Sequence, residues 1–141
     1  MIESRLISVR YHQDHRRKGW WDVFPPEIKS VNCVVIPQAN TIAAWHRHLY
    51  QKDYWFCPQG LLQVGVALTE DGPENIKELS WYFLSPESRE VLEIPENHWH
   101  GYKSLEPYTI LIYGMTNIWN GTDEERMTLQ DAGVNWNLGV K

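Results

Sequence analysis

The sequence predicts an all-β protein built as one antiparallel β-sandwich or jelly roll, with one short helix near the carboxyl end. Short apolar and aromatic runs recur at intervals of roughly 8 to 15 residues, separated by Pro, Gly and Asn. Eight Trp and seven Tyr supply the large rings that β-sheets favour. A length of 141 residues suits a single domain, 1–141, with a sizeable core.

Nine strands are predicted from these runs, and turn residues mark where several of them end. Pro37 separates the second run from the third, Gly60 the fourth from the fifth, and Pro95 the seventh from the eighth. The polar stretch 69–78 is predicted to be a loop within the domain. The predicted strands cover 5–12, 31–36, 41–48, 53–58, 61–68, 78–84, 90–94, 98–104 and 107–115.

The one predicted helix covers 122–133. Thr122 is placed to cap it, and acidic residues follow in the first turn, where they interact favourably with the helix dipole. Gly133 is placed to end the helix. One short helix on nine strands leaves the predicted fold class all-β.

Composition excludes several classes of function. A net charge of -5 and a pI near 5.6 argue against nucleic acid or an anionic membrane as a partner. No apolar run suits a signal peptide or a membrane span, so a cytoplasmic location is expected. Cys33 and Cys57 lack CxxC spacing, so both thiols are expected to be buried and unpaired. Neither a Gly-x-Ser-x-Gly motif nor a Gly-rich phosphate loop is found.

Four of the six histidines form two pairs with i, i+2 spacing inside predicted strands, His46 with His48 and His98 with His100. Because alternate residues of a strand share a face, each pair projects to one side of its strand. Such a face suits a metal site, a proton-transfer site or ordinary packing, and the spacing alone leaves all three open. Two separate pairs within aromatic strands favour a functional site.

Around these pairs the sequence resembles the cupins. "HRHLYQKDYWFCPQG" (46–60) has the His-x-His, acid and Gly of the first cupin motif, and "PENHWH" (95–100) resembles the second. Within the cupins, the closer resemblance is to the dTDP-4-dehydrorhamnose 3,5-epimerase family. The matching segments are "AAWH" (43–46), "IPENHWHGY" (94–102), "YGMTNIW" (113–119), "GVNWN" (133–137) and, more weakly, "DHRRKGWWDVF" (14–24).

The resemblance implies a cupin-type fold and an isomerase that epimerises a nucleotide-linked 4-keto-6-deoxy sugar, as a homodimer and with no cofactor required. In that family a His removes a proton next to the ketone, a Tyr protonates the opposite face, and a Lys stabilises the enolate. Matched by position, the base is His46 and the acid is Tyr113, with His100 supporting them. This chemistry requires a base with a pKa near neutrality and an acid across the ring.

The resemblance also implies contacts with the nucleotide sugar, which would serve polysaccharide or secondary-metabolite synthesis. Arg17 and Lys18, just ahead of two Trp, are placed to bind a pyrophosphate. Trp119 is placed to stack on a base or sugar. Gln51 and His48 are the candidates for contacts with the sugar itself.

Several positions depart from the family's pattern. Asp53 stands where the family has its Lys, Ala43 where it has an Arg, and Trp119 where it has a second Tyr. The late Asp that orients the family's catalytic His has no clear counterpart before Lys141.

Asp53 raises an alternative function, a metal-dependent cupin enzyme acting on another small molecule. His46, His48, Asp53 and His100 together offer three nitrogens and one oxygen, a set suited to divalent Fe, Mn, Ni or Zn. A bound ion would restore the positive charge that the missing Lys leaves out. A third alternative is a sugar-binding cupin that has lost turnover, in line with the loss of the Lys and the Asp.

Overall fold

The computed structural model describes residues 3–68, 79–118, 123–128 and 132–138. Within these ranges the chain is almost entirely β-structure. One 3-10 turn, Pro86–Ser88, joins two of the strands. The strands are β1 (Arg5–Ser8), β2 (Arg10–Gln13), β3 (Lys18–Trp21), β4 (Ser30–Ile36), β5 (Ile42–Arg47), β6 (Asp53–Gln59), β7 (Leu62–Leu68), β8 (Ser80–Leu84), β9 (Glu90–Ile94), β10 (His98–Ser104), β11 (Thr109–Met115) and β12 (Glu125–Arg126).

Two five-stranded antiparallel sheets form a sandwich. The first sheet has the order β1-β9-β6-β11-β4 and the second the order β12-β5-β10-β7-β8, while β2 and β3 form a separate hairpin. The main core lies between the sheets, because alternate residues of each strand point inward. From β7 these are Leu62, Val64 and Val66, which meet Trp55 and Leu111 of the first sheet. The predicted all-β sandwich is confirmed.

The predicted helix over 122–133 is wrong over 123–128, while Ala132 at its predicted end is helical. Glu125 and Arg126 form β12, which pairs with Arg47 and His46 at the edge of β5. One helical backbone bond is described, from the Ala132 N–H to the Thr128 carbonyl at 3.3 Å. Helix propensity is a weak preference, and here the hydrogen bonds offered by a free strand edge outweigh it. Over the described ranges, no helix is long and apolar enough to cross a membrane.

The segments at the two ends of the chain cover the outer faces of the sheets. Trp136 and Met127 pack on Trp45 and Trp99, on the outer face of the second sheet. This packing places the residues around β12 beside the open end of the sandwich. On the first sheet, the amino-terminal hairpin covers the outer face in the same way.

The two cysteines differ in exposure. Cys57 on β6 is buried and Cys33 on β4 is exposed. The expectation of two buried thiols is therefore wrong for Cys33, because β4 is an edge strand and Cys33 points away from the sandwich core.

A bulge in β5 sets which of its side chains face inward. His46 pairs with His100, but the next pair is Ala44 with Gly101, so Trp45 is an extra residue on β5. Ala43 and His46, three residues apart, consequently face the same interior. Gly101 is required beside the bulge, because a Cβ at that position would lie 2.8 Å from Ala44 Cα.

Candidate active site

A cavity of about 210 Å³ opens between the two sheets. Val34 and Leu111 form part of an apolar wall. The side chains of four predicted site residues, His46, His48, His100 and Tyr113, all line this cavity. The structure thus brings together, in one hollow, the polar residues His46, His48, Asp53, His100, Tyr113 and Glu124.

His46, the predicted base, lies on β5 next to a carboxylate that the sequence analysis missed. Its Nδ1 is 3.2 Å from Glu124 Oε1. Arg126 holds the other oxygen of Glu124, donating from Nε at 3.1 Å and from Nη2 at 2.9 Å. β12 brings both residues alongside His46 by pairing with β5. Glu124 therefore occupies the position of an orienting acid, although it comes from a different part of the chain than the family's late Asp.

The electrostatic surroundings favour an uncharged imidazole beside a charged carboxylate. Burial lowers the pKa of His46 below its usual value, and the charge of Glu124 only partly offsets this. Burial alone would raise the pKa of Glu124, but the hydrogen bonds from Arg126 and the positive charge of that guanidinium outweigh it and lower that pKa. At neutral pH this pair is a free base next to an anion, the state that a proton-abstracting His needs.

His48, Asp53 and His100 form a buried cluster beside this pair. One potential ligand atom from each residue lies within 4.8 Å of the others. Asp53 Oδ2 is 3.8 Å from His48 Nε2 and 3.7 Å from His100 Nε2. His46 is outside this cluster, because among the described residues only His48, Asp53 and His100 offer ligand atoms that lie within that distance of one another. The predicted four-residue metal set is thus reduced to three residues.

Tyr113 faces His46 across the cavity. It lies on β11 of the first sheet, whereas His46 lies on β5 of the second. Burial raises the pKa of Tyr113, and the charges of Asp53 and Glu124 raise it further. Its phenol is therefore protonated at neutral pH and able to donate. Burial lowers the pKa of His100 to about 4, so this imidazole is neutral.

A model of the family described as dTDP-4-dehydrorhamnose 3,5-epimerase matches residues 7–141. The chain belongs to this epimerase family. The resemblance drawn from the sequence motifs is confirmed. One relative is the probable low-salt glycan biosynthesis epimerase Agl13 of Haloferax volcanii. It is 34% identical over 152 residues, which cover 99% of this chain and 95% of the relative.

Two solved structures show the same fold. ChmJ, a 3'-monoepimerase from Streptomyces bikiniensis in complex with dTDP-quinovose, has a TM-score of 0.81 and 16% identity, covering 98% of this chain and 77% of its own. The dTDP-4-dehydrorhamnose 3,5-epimerase of Bacillus anthracis, with TDP and PPi bound, has a TM-score of 0.80 and 19% identity, covering 95% and 85%. Members of the epimerase family are sugar-nucleotide isomerases and act without a cofactor, so the predicted enzyme class is confirmed.

The structure places three further predicted contacts of this family member, Gln51, Arg17 and Lys18, away from the cavity wall. Gln51 is buried behind Asp53, because its amide donates to Asp53 Oδ1 at 2.6 Å. Arg17 and Lys18 lie on the exposed β2–β3 hairpin, with the Arg17 guanidinium 5.4 Å from the Trp21 ring centre. Neither cation lines the cavity of its own chain. Trp119 lies outside the described residues.

Proposed function

We propose that this protein epimerises a nucleotide-linked 4-keto-6-deoxy sugar at a carbon next to the ketone. The observation that carries the proposal is the opposed pair His46 and Tyr113, a neutral imidazole and a protonated phenol on facing sheets. Inversion at a carbon needs a base on one face of the sugar ring and an acid on the other. The cavity between the two groups supplies the space for that ring.

In the proposed reaction His46 removes the proton and Tyr113 returns one to the opposite face. Glu124 faces the imidazole and stabilises the imidazolium that forms. His100, neutral and buried, lines the cavity as a neighbour of His46 with ring centres 6.4 Å apart. All of these residues line one cavity. Glu124 takes the role of the orienting acid, for which the sequence offers no counterpart of the family's late Asp.

The nucleotide is the second part of the proposed substrate. Of the two fold neighbours, one is in complex with dTDP-quinovose and the other has TDP and PPi bound. Arg17 and Lys18 do not line the cavity of their own chain, so a contact between them and the pyrophosphate stays a prediction. The curated relative is named for glycan biosynthesis, which supports a role in building a surface polysaccharide.

We further propose a homodimer through the edge strand β4. Val31 and Val35 are 57% and 56% exposed, and Cys33 between them is exposed on the same face of the strand. Sedimentation of the purified protein is expected to give twice the chain mass, and Val35→Glu is expected to shift it towards the monomer. A monomer at micromolar concentration would contradict the proposal.

A cytoplasmic location and a single domain over 1–141 stay predictions.

Exchange of sugar protons with solvent tests the proposed reaction directly. When the protein is incubated with dTDP-4-keto-6-deoxyglucose in deuterium oxide, we expect deuterium at C3, C5 or both. The reason is that a carbon whose proton His46 has removed takes up a deuteron that comes from the solvent. Proton NMR follows the loss of each signal, and chromatography with mass spectrometry quantifies the epimer. Binding without exchange would instead identify a sugar-binding protein that has lost turnover, and the proposal would fail.

A further inference from the structure

We propose that His48, Asp53 and His100 form a binding site for a first-row divalent transition metal, distinct from the base His46. All three side chains are buried or nearly so, with 11%, 5% and 4% of the respective side chains exposed. Their position in the cavity wall puts the site next to the reacting groups. Binding of the ion is inferred from the geometry of these three residues alone; its use in catalysis rests on the proposed function.

Two backbone carbonyls orient the imidazoles of this cluster so that their Nε2 atoms face Asp53. His48 Nδ1 is 3.1 Å from the Asp123 carbonyl, and His100 Nδ1 is 3.0 Å from the His98 carbonyl. A carbonyl oxygen only accepts hydrogen bonds, so each Nδ1 carries the ring proton. The remaining ring nitrogen of each imidazole, Nε2, then faces the Asp53 carboxylate. A His that binds a metal through one ring nitrogen typically donates the other N–H to a carbonyl or carboxylate in this way.

The distances suit a metal ion better than a shared proton. A charged hydrogen bond between nitrogen and a carboxylate oxygen spans about 2.7–2.9 Å. The two N···O separations here are 3.7 and 3.8 Å. An ion with bonds of about 2.0–2.2 Å to each atom can bridge a separation of up to roughly 4.2 Å, which covers both N···O separations. The ligand atoms of all three residues lie within 4.8 Å of one another, so binding would draw the two imidazoles closer together. Two imidazoles and one carboxylate are also a donor set that iron, zinc, cobalt and their neighbours accept with positions left open.

Partners behind each ligand fix it in place, as they do in protein metal sites. The two backbone carbonyls orient the imidazoles. Asp53 is oriented by two donors, Gln51 Nε2 at 2.6 Å and Trp55 Nε1 at 3.3 Å. This explains why Gln51 is buried behind Asp53 rather than facing a sugar. Asp123, through its carbonyl, links the site to the segment that also supplies Glu124.

A bound divalent ion would supply the positive charge that the reaction needs near the ketone oxygen and that Asp53 cannot supply. The family's Lys position is Asp53 in this chain, which removes a cation and creates a ligand. The same substitution therefore accounts for both the lost charge and the new site.

Metal content tests the inference without reference to activity. Protein purified without chelators, or stripped and reloaded with Zn²⁺, is expected to hold about one equivalent per chain by elemental analysis after gel filtration. Loading with Co²⁺ is expected to give visible d–d absorption bands. His48→Gln and Asp53→Asn are each expected to weaken Zn²⁺ binding by at least about 100-fold, since even residues behind the ligands contribute roughly 10- to 100-fold.

Two control variants separate this inference from the proposed function. His46→Gln is expected to retain full metal content while losing proton exchange, and His12→Gln on the exposed hairpin should also retain full metal content. A metal content near zero before and after reloading overturns the inference. The inference is also overturned if His48→Gln and Asp53→Asn bind Zn²⁺ as tightly as the parent protein does. Parent-like circular dichroism spectra show that both variants are folded. If the metal binds but no sugar proton exchanges, only the proposed function fails.

Discussion

Replacing His46 with Gln is expected to lower kcat by roughly 10²- to 10⁴-fold, the usual contribution of a general base. Gln is close to His in size and polarity but has no basic nitrogen, so the cavity keeps its shape and loses its proton acceptor. Because abstraction is the first chemical step, the incorporation of solvent deuterium and the formation of epimer should fall together. Both can be measured on the same sample of dTDP-4-keto-6-deoxyglucose, with KM little changed.

The matched variant Glu124→Gln distinguishes the base from the carboxylate that orients it. Glu124 raises the pKa of His46 against the larger effect of burial, so its removal should lower that pKa further. Since only neutral His46 acts as the base, the rise of kcat with pH should then occur at lower pH. A weaker base also reduces the maximum, by about 10-fold for each 1.4 kcal/mol of lost transition-state stabilisation. An unchanged pH profile would exclude Glu124 as a positioning residue.

The strands and the inward positions of the site residues were predictable because they depend on short-range patterns. Eight of the nine predicted strands match single observed strands within a few residues at their ends. The remaining predicted strand, 5–12, is split at Val9, whose N–H donates to the Arg89 carbonyl at 2.8 Å. After Val9 the chain leaves the first sheet and forms β2 of the hairpin. The motif around His100 placed that residue correctly in the cavity wall, because alternation along β10 fixes its direction.

The parts of the site that the sequence did not reveal depend on long-range pairing. Glu124 lies 78 residues after His46 in the chain, in a segment with good local signals for a helix, and only the pairing of β12 with β5 brings the two together. Gln51 was expected to face the sugar, but its short distance to Asp53 arises from how the chain enters β6. Neither contact has a local pattern that a reader of the sequence could use. Only the expectation that the base His46 needs an acidic partner could have prompted a search for a carboxylate such as Glu124.

Replacing Tyr113 with Phe is expected to lower the rate of epimer formation by roughly 10²- to 10⁴-fold while leaving deuterium exchange largely intact. Phe keeps the aromatic ring on β11 but has no proton to donate from that side of the cavity. His46 can still remove a proton and return one to the same face, so the carbon exchanges with solvent without inverting. Affinity for the nucleotide sugar should change little, because the ring is retained.

Tyr102→Phe is the matched control for this separation of exchange from inversion. Tyr102 also lines the cavity, and burial raises the pKa of its phenol in the same way. It lies on β10, however, in the same sheet as His46, and so cannot protonate the face of the sugar opposite to the base. Its loss should therefore reduce inversion far less than the loss of Tyr113. Two outcomes would contradict this assignment: an equal loss of inversion in both variants, or wild-type epimer formation in Tyr113→Phe. Either would mean that another group is the acid. The facing arrangement of His46 and Tyr113 would then not carry the reaction.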